Sequence, residues 1–197
     1  MTSNAVSGVR PANEKDMSIS GDTVPRWPKA MDFAAAAHHG QWMEERESWF
    51  ICHPLRVALL VATGFGCHED EVISAALLHD VLEKTPATRE ELLGSFGRTV
   101  ADLVGHLTKG PDEASDSYWS RLHAAPWHAR LVKMADALDH LDCPPRTLAK
   151  RLRTAARALE LAFTDEAPLQ RAKERIRQAM DQAALRQPSE SAVANDR

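Results

Sequence analysis

The sequence predicts an all-α protein, and three observations carry that reading. Apolar residues recur with helical period from about residue 25 to 186, and no convincing apolar–polar alternation interrupts them. Helix-end chemistry stands at the joints of that pattern. The two ends of the chain, 1–24 and 187–197, are polar and without period, so they read as flexible tails around one domain spanning 25–186. With 197 residues, 44% of them hydrophobic, one such core can be buried.

Taken in order, the periodic segments predict helices at roughly 29–41, 53–64, 70–83, 88–95, 98–108, 117–124, 127–141, 146–162 and 166–186. Thr88 with Glu91 three residues on forms a capping box, in which each side chain satisfies a free amide of the first turn. Gly97 and Gly110 suit helix stops, and Pro144-Pro145 breaks the chain before the next helix. One short extended piece is expected at Arg46 to Ile51, where Trp49, Phe50 and Ile51 run together.

A formal charge of −4 gives no basic excess of the kind that binds long nucleic acid, so cationic groups for a polyanion would have to be local. Cys52, Cys67 and Cys143 are widely spaced and form no CxxC pair, which argues against a disulfide framework or a structural zinc site. Neither a signal peptide nor an apolar run of membrane length is visible. A soluble protein of the reducing cytoplasm is the expectation, with homo-oligomerisation left open.

The informative string is Ala75-Ala76-Leu77-Leu78-His79-Asp80-Val81-Leu82-Glu83. Its adjacent His and Asp end an apolar helical run, where polar groups are costly unless paired or metal-bound. Glu83 lies four residues after His79 and three after Asp80, on the same helical face. His53 opens a preceding helix in Cys52-His53-Pro54-Leu55, and Asp136 lies inside the apolar pattern Leu131 to Leu138. Each has an ordinary alternative: a helix-end hydrogen bond for His79-Asp80, an N-terminal helix position for His53, an ion pair with Lys133 for Asp136. Together they favour a metal site. Two imidazoles and two carboxylates without thiolate suit one octahedral first-row ion, Mn²⁺ most readily. Such an ion acidifies bound water and neutralises phosphoryl oxygens, and Glu83 is placed as a general base.

These strings resemble the hydrolase domain of RelA/SpoT proteins and the small alarmone hydrolases, from about Phe33 to Leu141. The resemblance rests on Ala37-His38-His39-Gly40-Gln41, His53-Pro54-Leu55, the string through His79 to Glu83, Thr85-Pro86, Phe96-Gly97, Leu107-Thr108-Lys109 and Val132 to Leu138. It implies a helical HD-type bundle and one Mn²⁺ ion on His53, His79, Asp80 and Asp136. The implied reaction removes the 3′-pyrophosphate from a small-molecule nucleotide, a guanosine tetra- or pentaphosphate alarmone or its adenosine form. Lys109 and Lys133 match family positions that could serve the phosphates, and His38 is implied to be structural.

Three departures stand out. The family's Glu-Asp-Thr reads Glu83-Lys84-Thr85, so an acid thought to help activate water is a cation. The family's basic loop after Gly-Gln reads Trp42-Met43-Glu44-Glu45-Arg46-Glu47-Ser48, leaving Arg46 as its candidate charge partner. The ending D-R-L-x-N, whose Arg and Asn lie near the nucleotide, reads Asp136-Ala137-Leu138-Asp139-His140, putting His140 in the place of the Asn. Catalytic roles are therefore expected at Glu83 and Lys84, and substrate contacts at Arg46, Lys109, Lys133 and His140. A non-catalytic, nucleotide- or metal-binding regulator of the same fold is the alternative, with Lys84 in its favour. It would meet a partner through the basic stripe Arg146, Lys150, Arg153 and Arg157, for which a solvated helix face is the default. Trp42 and Trp49 flank the altered loop, as packing residues first and as a base-stacking platform second.

Overall fold

A computed structural model of the chain describes residues 24–185. The tails expected at 1–24 and 187–197 lie outside the described residues, Val24 excepted. Helices dominate: α1 (Trp27–Ala37), α2 (Cys52–Leu59), α3 (Asp70–Leu78), α4 (Val81–Lys84), α5 (Arg89–Phe96), α6 (Arg98–Leu107), α7 (Ser115–His123), α8 (Trp127–Asp139), α9 (Pro145–Leu159) and α10 (Ala167–Leu185).

The core forms where α3 and α8 lie among their neighbours. α3 packs on α1, α2, α6 and α8, and α8 in turn on α2, α6, α9 and α10. α3 is apolar almost throughout, with Ala75, Ala76, Leu77 and Leu78 buried in succession. Nine of the thirteen residues of α8 are buried, Asp136 and Asp139 among them. A helix covered on most sides carries its polar residues into the interior, and those residues need partners there.

Several ends follow the sequence. Thr88 and Glu91 make the reciprocal capping box at the start of α5, a device worth about 1 kcal/mol. Gly97 separates α5 from α6 with φ of 84°, a conformation that disfavours any side chain. Pro144 and Pro145 open α9, where the missing amide of a first-turn proline costs nothing.

Three expectations need correction. The helix read over 70–83 is two helices, because the chain turns at His79 and Asp80. The His79 ring donates from Nδ1 to the Ala76 carbonyl at 2.8 Å, and Asp80 leaves helical geometry with φ −101° and ψ −7°. The helix read over 53–64 is α-helical only to Leu59. A wider turn follows over Leu60–Gly64, with Phe65 N donating five residues back to Leu60 O at 2.8 Å. The extended piece proves to be one side of a hairpin: β1 (Trp42–Met43) pairs antiparallel with β2 (Ser48–Trp49) across a short 3₁₀ turn. Glu47 closes that turn with φ of 48°. The hairpin shape was hidden because the acidic loop carries no glycine or asparagine to mark it.

Candidate metal centre and active-site cleft

Three chain segments meet at one point. The first turn of α2 brings His53, the α3–α4 turn brings His79 and Asp80, and α8 brings Asp136. His53, His79 and Asp136 are buried and each offers a ligand atom within 4.8 Å of the others. Asp80 adjoins them, its Oδ2 3.8 Å from His53 Nε2 and 3.6 Å from His79 Nε2.

The tautomers can be read from the outer nitrogens. His53 Nδ1 lies 2.8 Å from Asp139 Oδ2, and His79 Nδ1 2.8 Å from the Ala76 carbonyl. Both partners accept only, so both Nδ1 atoms donate, and in the neutral rings both Nε2 atoms present a lone pair. Those lone pairs face each other across 3.2 Å. Two acceptors so placed repel unless a proton or a metal ion stands beside them, and adjacent ligands on ~2.1 Å metal bonds at right angles are about 3 Å apart. Carboxylate- and carbonyl-anchored imidazoles are also how proteins hold metal-ligating histidines. The donor set therefore fits a divalent cation.

Asp136 works in two directions. Its Oδ1 lies 3.3 Å from His53 Nε2 and 3.3 Å from His140 Nε2, while its Oδ2 accepts from Lys133 Nζ at 2.8 Å. The ion pair with Lys133 and a place in the donor cluster, alternatives in the sequence, are compatible. Burial alone would neutralise these groups. Instead, against that burial, Lys133, His53 and His140 hold the Asp136 carboxyl well below its usual range. Lys133 stays charged because Asp136 and Tyr118 outweigh its desolvation. Burial likewise opposes a charge on His53, but Asp136, Asp139 and Asp80 raise its pKa to about 9. Burial dominates at His140, whose pKa falls to about 4.

A cleft of about 250 Å³ opens above this centre, with His79, Asp80 and Asp136 in its lining. Of the residues proposed from sequence, Glu83, Lys84, Lys109, Lys133 and His140 all line it. Glu83 Oε2 accepts from the Lys109 amide at 3.1 Å, which ties the end of α6 to α4. Lys84 Nζ stands 4.0 Å from Asp80 Oδ2 and 4.0 Å from Glu83 Oε1. Behind it, His38 Nδ1 donates to Gln41 Oε1 at 2.9 Å and Gln41 Nε2 to the Lys84 carbonyl at 2.9 Å. His38 thus braces the cleft from behind.

Arg46 is placed elsewhere. It bonds the Asp139 carbonyl and pairs with Asp142 at 3.2 Å, on the far side of α8 from the cleft. Trp42 and Trp49 also lie outside the cleft lining. They pack edge to face at 5.2 Å and remain half exposed. Within the basic stripe, Arg146, Lys150 and Arg153 are exposed and Arg157 pairs with Asp116 at 3.0 Å.

Three participants were not singled out from the sequence. Asp139 holds His53 and is itself gripped by Arg56, at 2.7 Å from Nε and 3.1 Å from Nη2. Arg151, from α9, lines the cleft and pairs with Glu45 of the hairpin at 2.8 Å. The i, i+3 repeat of Asp136 and Asp139 on a buried helix was the available signal for the first. Nothing in the pattern of α9 distinguished Arg151 from its basic neighbours.

Fold and donor set together define a helical domain whose buried histidines and carboxylates could hold a divalent cation. The chain belongs to the HD domain family, matching it over residues 30–164. It is 38% identical over 118 residues to the guanosine-3′,5′-bis(diphosphate) 3′-pyrophosphohydrolase MESH1 of Danio rerio, covering 57% of this chain and 66% of that protein. It is 32% identical over 155 residues to the bifunctional (p)ppGpp synthase/hydrolase SpoT of Escherichia coli K12, covering 71% of this chain and 21% of that protein. The match thus spans just under two thirds of the small relative and a fifth of the large one. A solved structure described as a metazoan ortholog of SpoT that hydrolyzes ppGpp shares the fold, with TM-score 0.66 and 23% identity over 78% of this chain and 94% of that one.

Proposed function

We propose that this chain is a Mn²⁺-dependent phosphohydrolase that removes the 3′-pyrophosphate of (p)ppGpp-like alarmone nucleotides. The observation that carries the reading is the pair of facing imidazole Nε2 atoms, flanked by Asp80 and Asp136, at the floor of a cleft with cationic walls. The relatives named as guanosine-3′,5′-bis(diphosphate) 3′-pyrophosphohydrolases support the substrate class.

His53, His79, Asp80 and Asp136 would hold the ion. When bound it would acidify a water and neutralise phosphoryl oxygens. The chain's own groups do the rest. Glu83, on the cleft wall and two-fifths exposed, is free to take a proton from an attacking water. Lys84, Lys109, Lys133 and Arg151 line the cleft, and fixed cations there would stabilise charge that grows during transfer. His140, kept neutral, can donate or accept a hydrogen bond without adding charge. Three free cysteines agree with a reducing, cytoplasmic setting, and no described helix is long and apolar enough to cross a membrane.

The regulatory alternative retains one observation in its favour: the Lys84 ammonium stands between the two carboxylates, Asp80 and Glu83, that face the reaction space. One assay separates the readings. Purified protein with Mn²⁺ should release pyrophosphate from guanosine or adenosine 3′-pyrophosphates, and no release from either, with metal bound, would refute the enzyme.

A further inference from the structure

The second face of Asp139 opens on a cleft of its own. Between α2, α8 and α10 lies a space of about 360 Å³ lined by Arg46, Arg56, Arg175, Gln178 and Gln182, with Leu60 and Ala179 as apolar lining. The acids there are Asp139 and Asp142. Asp139 is largely committed, since its carboxylate already receives His53 Nδ1 and the Arg56 Nε and Nη2 donors, with Arg46 Nη2 3.7 Å from Oδ2. Asp142 is largely in solvent, where an ion pair is weak. Each guanidinium has five N–H donors in a fixed fork. Arg56 commits Nε and Nη2 to Asp139 and keeps Nη1 uncommitted. Arg175 has no carboxylate partner among the described residues, and its Nη1 stands over Gly64, within 2.8 Å of where a Cβ would be. No side chain from the Gly64 side closes that approach.

The geometry points to a second anion site in this cleft, built for a phosphate or diphosphate group held between the Arg56 and Arg175 guanidinium groups, with the Gln178 and Gln182 amides as further donors. Planar forks of this kind match phosphoryl oxygens two at a time. It does not rest on the hydrolase reading. The site is also wired to the metal centre, because Arg56 and His53 share the Asp139 carboxylate. An anion drawing on Arg56 leaves more of the Asp139 charge on His53, which makes Nε2 a stronger donor to a cation. Binding at the two sites should then be mutually favourable, as linkage requires of any such coupling.

The test uses the full chain, metal-free, titrated calorimetrically with inorganic phosphate, inorganic pyrophosphate and ADP while arginine Nε–Hε resonances are followed by NMR. The Arg56 and Arg175 signals should move together, and Arg175→Gln should weaken binding by about ten- to hundredfold, the value of a charge-assisted hydrogen bond. Arg175 is exposed, so this variant should keep the wild-type Tm. Pyrophosphate binding as tightly as ADP identifies a free inorganic ligand, and tighter ADP binding a nucleotide; both support the site. Binding that is unchanged in Arg175→Gln but lost in Lys109→Gln would place the anion in the metal cleft and overturn the proposal. So would the absence of any binding at millimolar concentration.

Discussion

His53 Nε2 and His79 Nε2 face each other at 3.2 Å, each turned there by a hydrogen bond on its other ring nitrogen. The approach is favourable only with positive charge beside both atoms, and that charge can be a metal ion or a proton. Purified protein should therefore carry about one equivalent of a first-row divalent ion. Asp80→Ala should abolish stoichiometric binding while leaving the buried histidines in place. Saturating metal at a hundred times its Kd should stabilise the wild type by about 2.7 kcal/mol. Elemental analysis decides, and full metal in Asp80→Ala would remove Asp80 from the donor set.

The proton alternative makes the chelated protein pH-sensitive. His53 has a folded pKa raised from 6.5 to about 9, so its contribution is complete below 6.5 and disappears as pH rises through 9. His140 has its pKa lowered from 6.5 to about 4, so the unfolded chain binds more protons between those values and stability rises with pH there. In EDTA the Tm should peak near pH 6.5 and fall toward pH 9. With metal bound, Nε2 of His53 has no proton to lose and that fall should vanish. Parallel Tm–pH curves with and without metal would contradict the shared position.

Asp139→Asn keeps the shape of the His53 partner and removes its charge. Metal affinity should drop about 10- to 100-fold, the usual effect of altering such a supporting group. Arg56 would lose its carboxylate at the same time, so Tm should fall as well. An unchanged Kd for the metal would make Asp139 a packing residue alone.

Much of this site could be read in advance because burial and polarity conflict visibly in a helical pattern. His79-Asp80 after four apolar residues and Asp136 within α8 each announce a group needing compensation. The helical period also gave α5, α6 and α8 nearly to their ends, since Thr88, Gly97 and the apolar rows are local signals. What stayed hidden depends on contacts between distant segments. Arg151 reaches the cleft through Glu45, 106 residues away, and Arg46 turns toward Asp139, 93 residues away. The break at His79 is set by a side chain capturing a carbonyl, which no periodicity records.

Glu83→Gln preserves size and can still accept from the Lys109 amide through its amide oxygen. What it removes is the capacity to take a proton. Turnover should fall by about 10²–10⁴ with metal content unchanged. Equal rates in mutant and wild type would move proton transfer to another group and weaken the proposed mechanism.

Lys84 is the position where the chain departs most sharply from the pattern it resembles, and its geometry now gives the departure a direction. Its ammonium lies 4.0 Å from a carboxylate oxygen of Asp80 and of Glu83, and is 38% exposed. At ~4 Å and an effective dielectric of ~20 a unit charge contributes about 4 kcal/mol. Solvent screening of so exposed a pair reduces this toward about 1 kcal/mol, still several-fold in rate. The sign differs for the two tasks. Toward a phosphoryl oxygen in the cleft the cation is attractive and helps hold the substrate. Toward Glu83 it is a charge partner that competes with an attacking water for the carboxylate. Lys84→Asp reverses both: it removes the charge partner of Asp80 and Glu83 and withdraws one phosphate contact. Activity on guanosine 3′-pyrophosphates should rise several-fold, while activity on whichever nucleotide the wild type prefers should fall, mainly through KM. Lys84→Met, neutral and of similar length, should lie between them. If the wild type hydrolyses no nucleotide in a broad panel and Lys84→Asp alone awakens release of pyrophosphate, the chain is the non-catalytic regulator. If the wild type turns over guanosine tetraphosphate rapidly and all three proteins share one kcat and KM, the ammonium stands too far into solvent to matter.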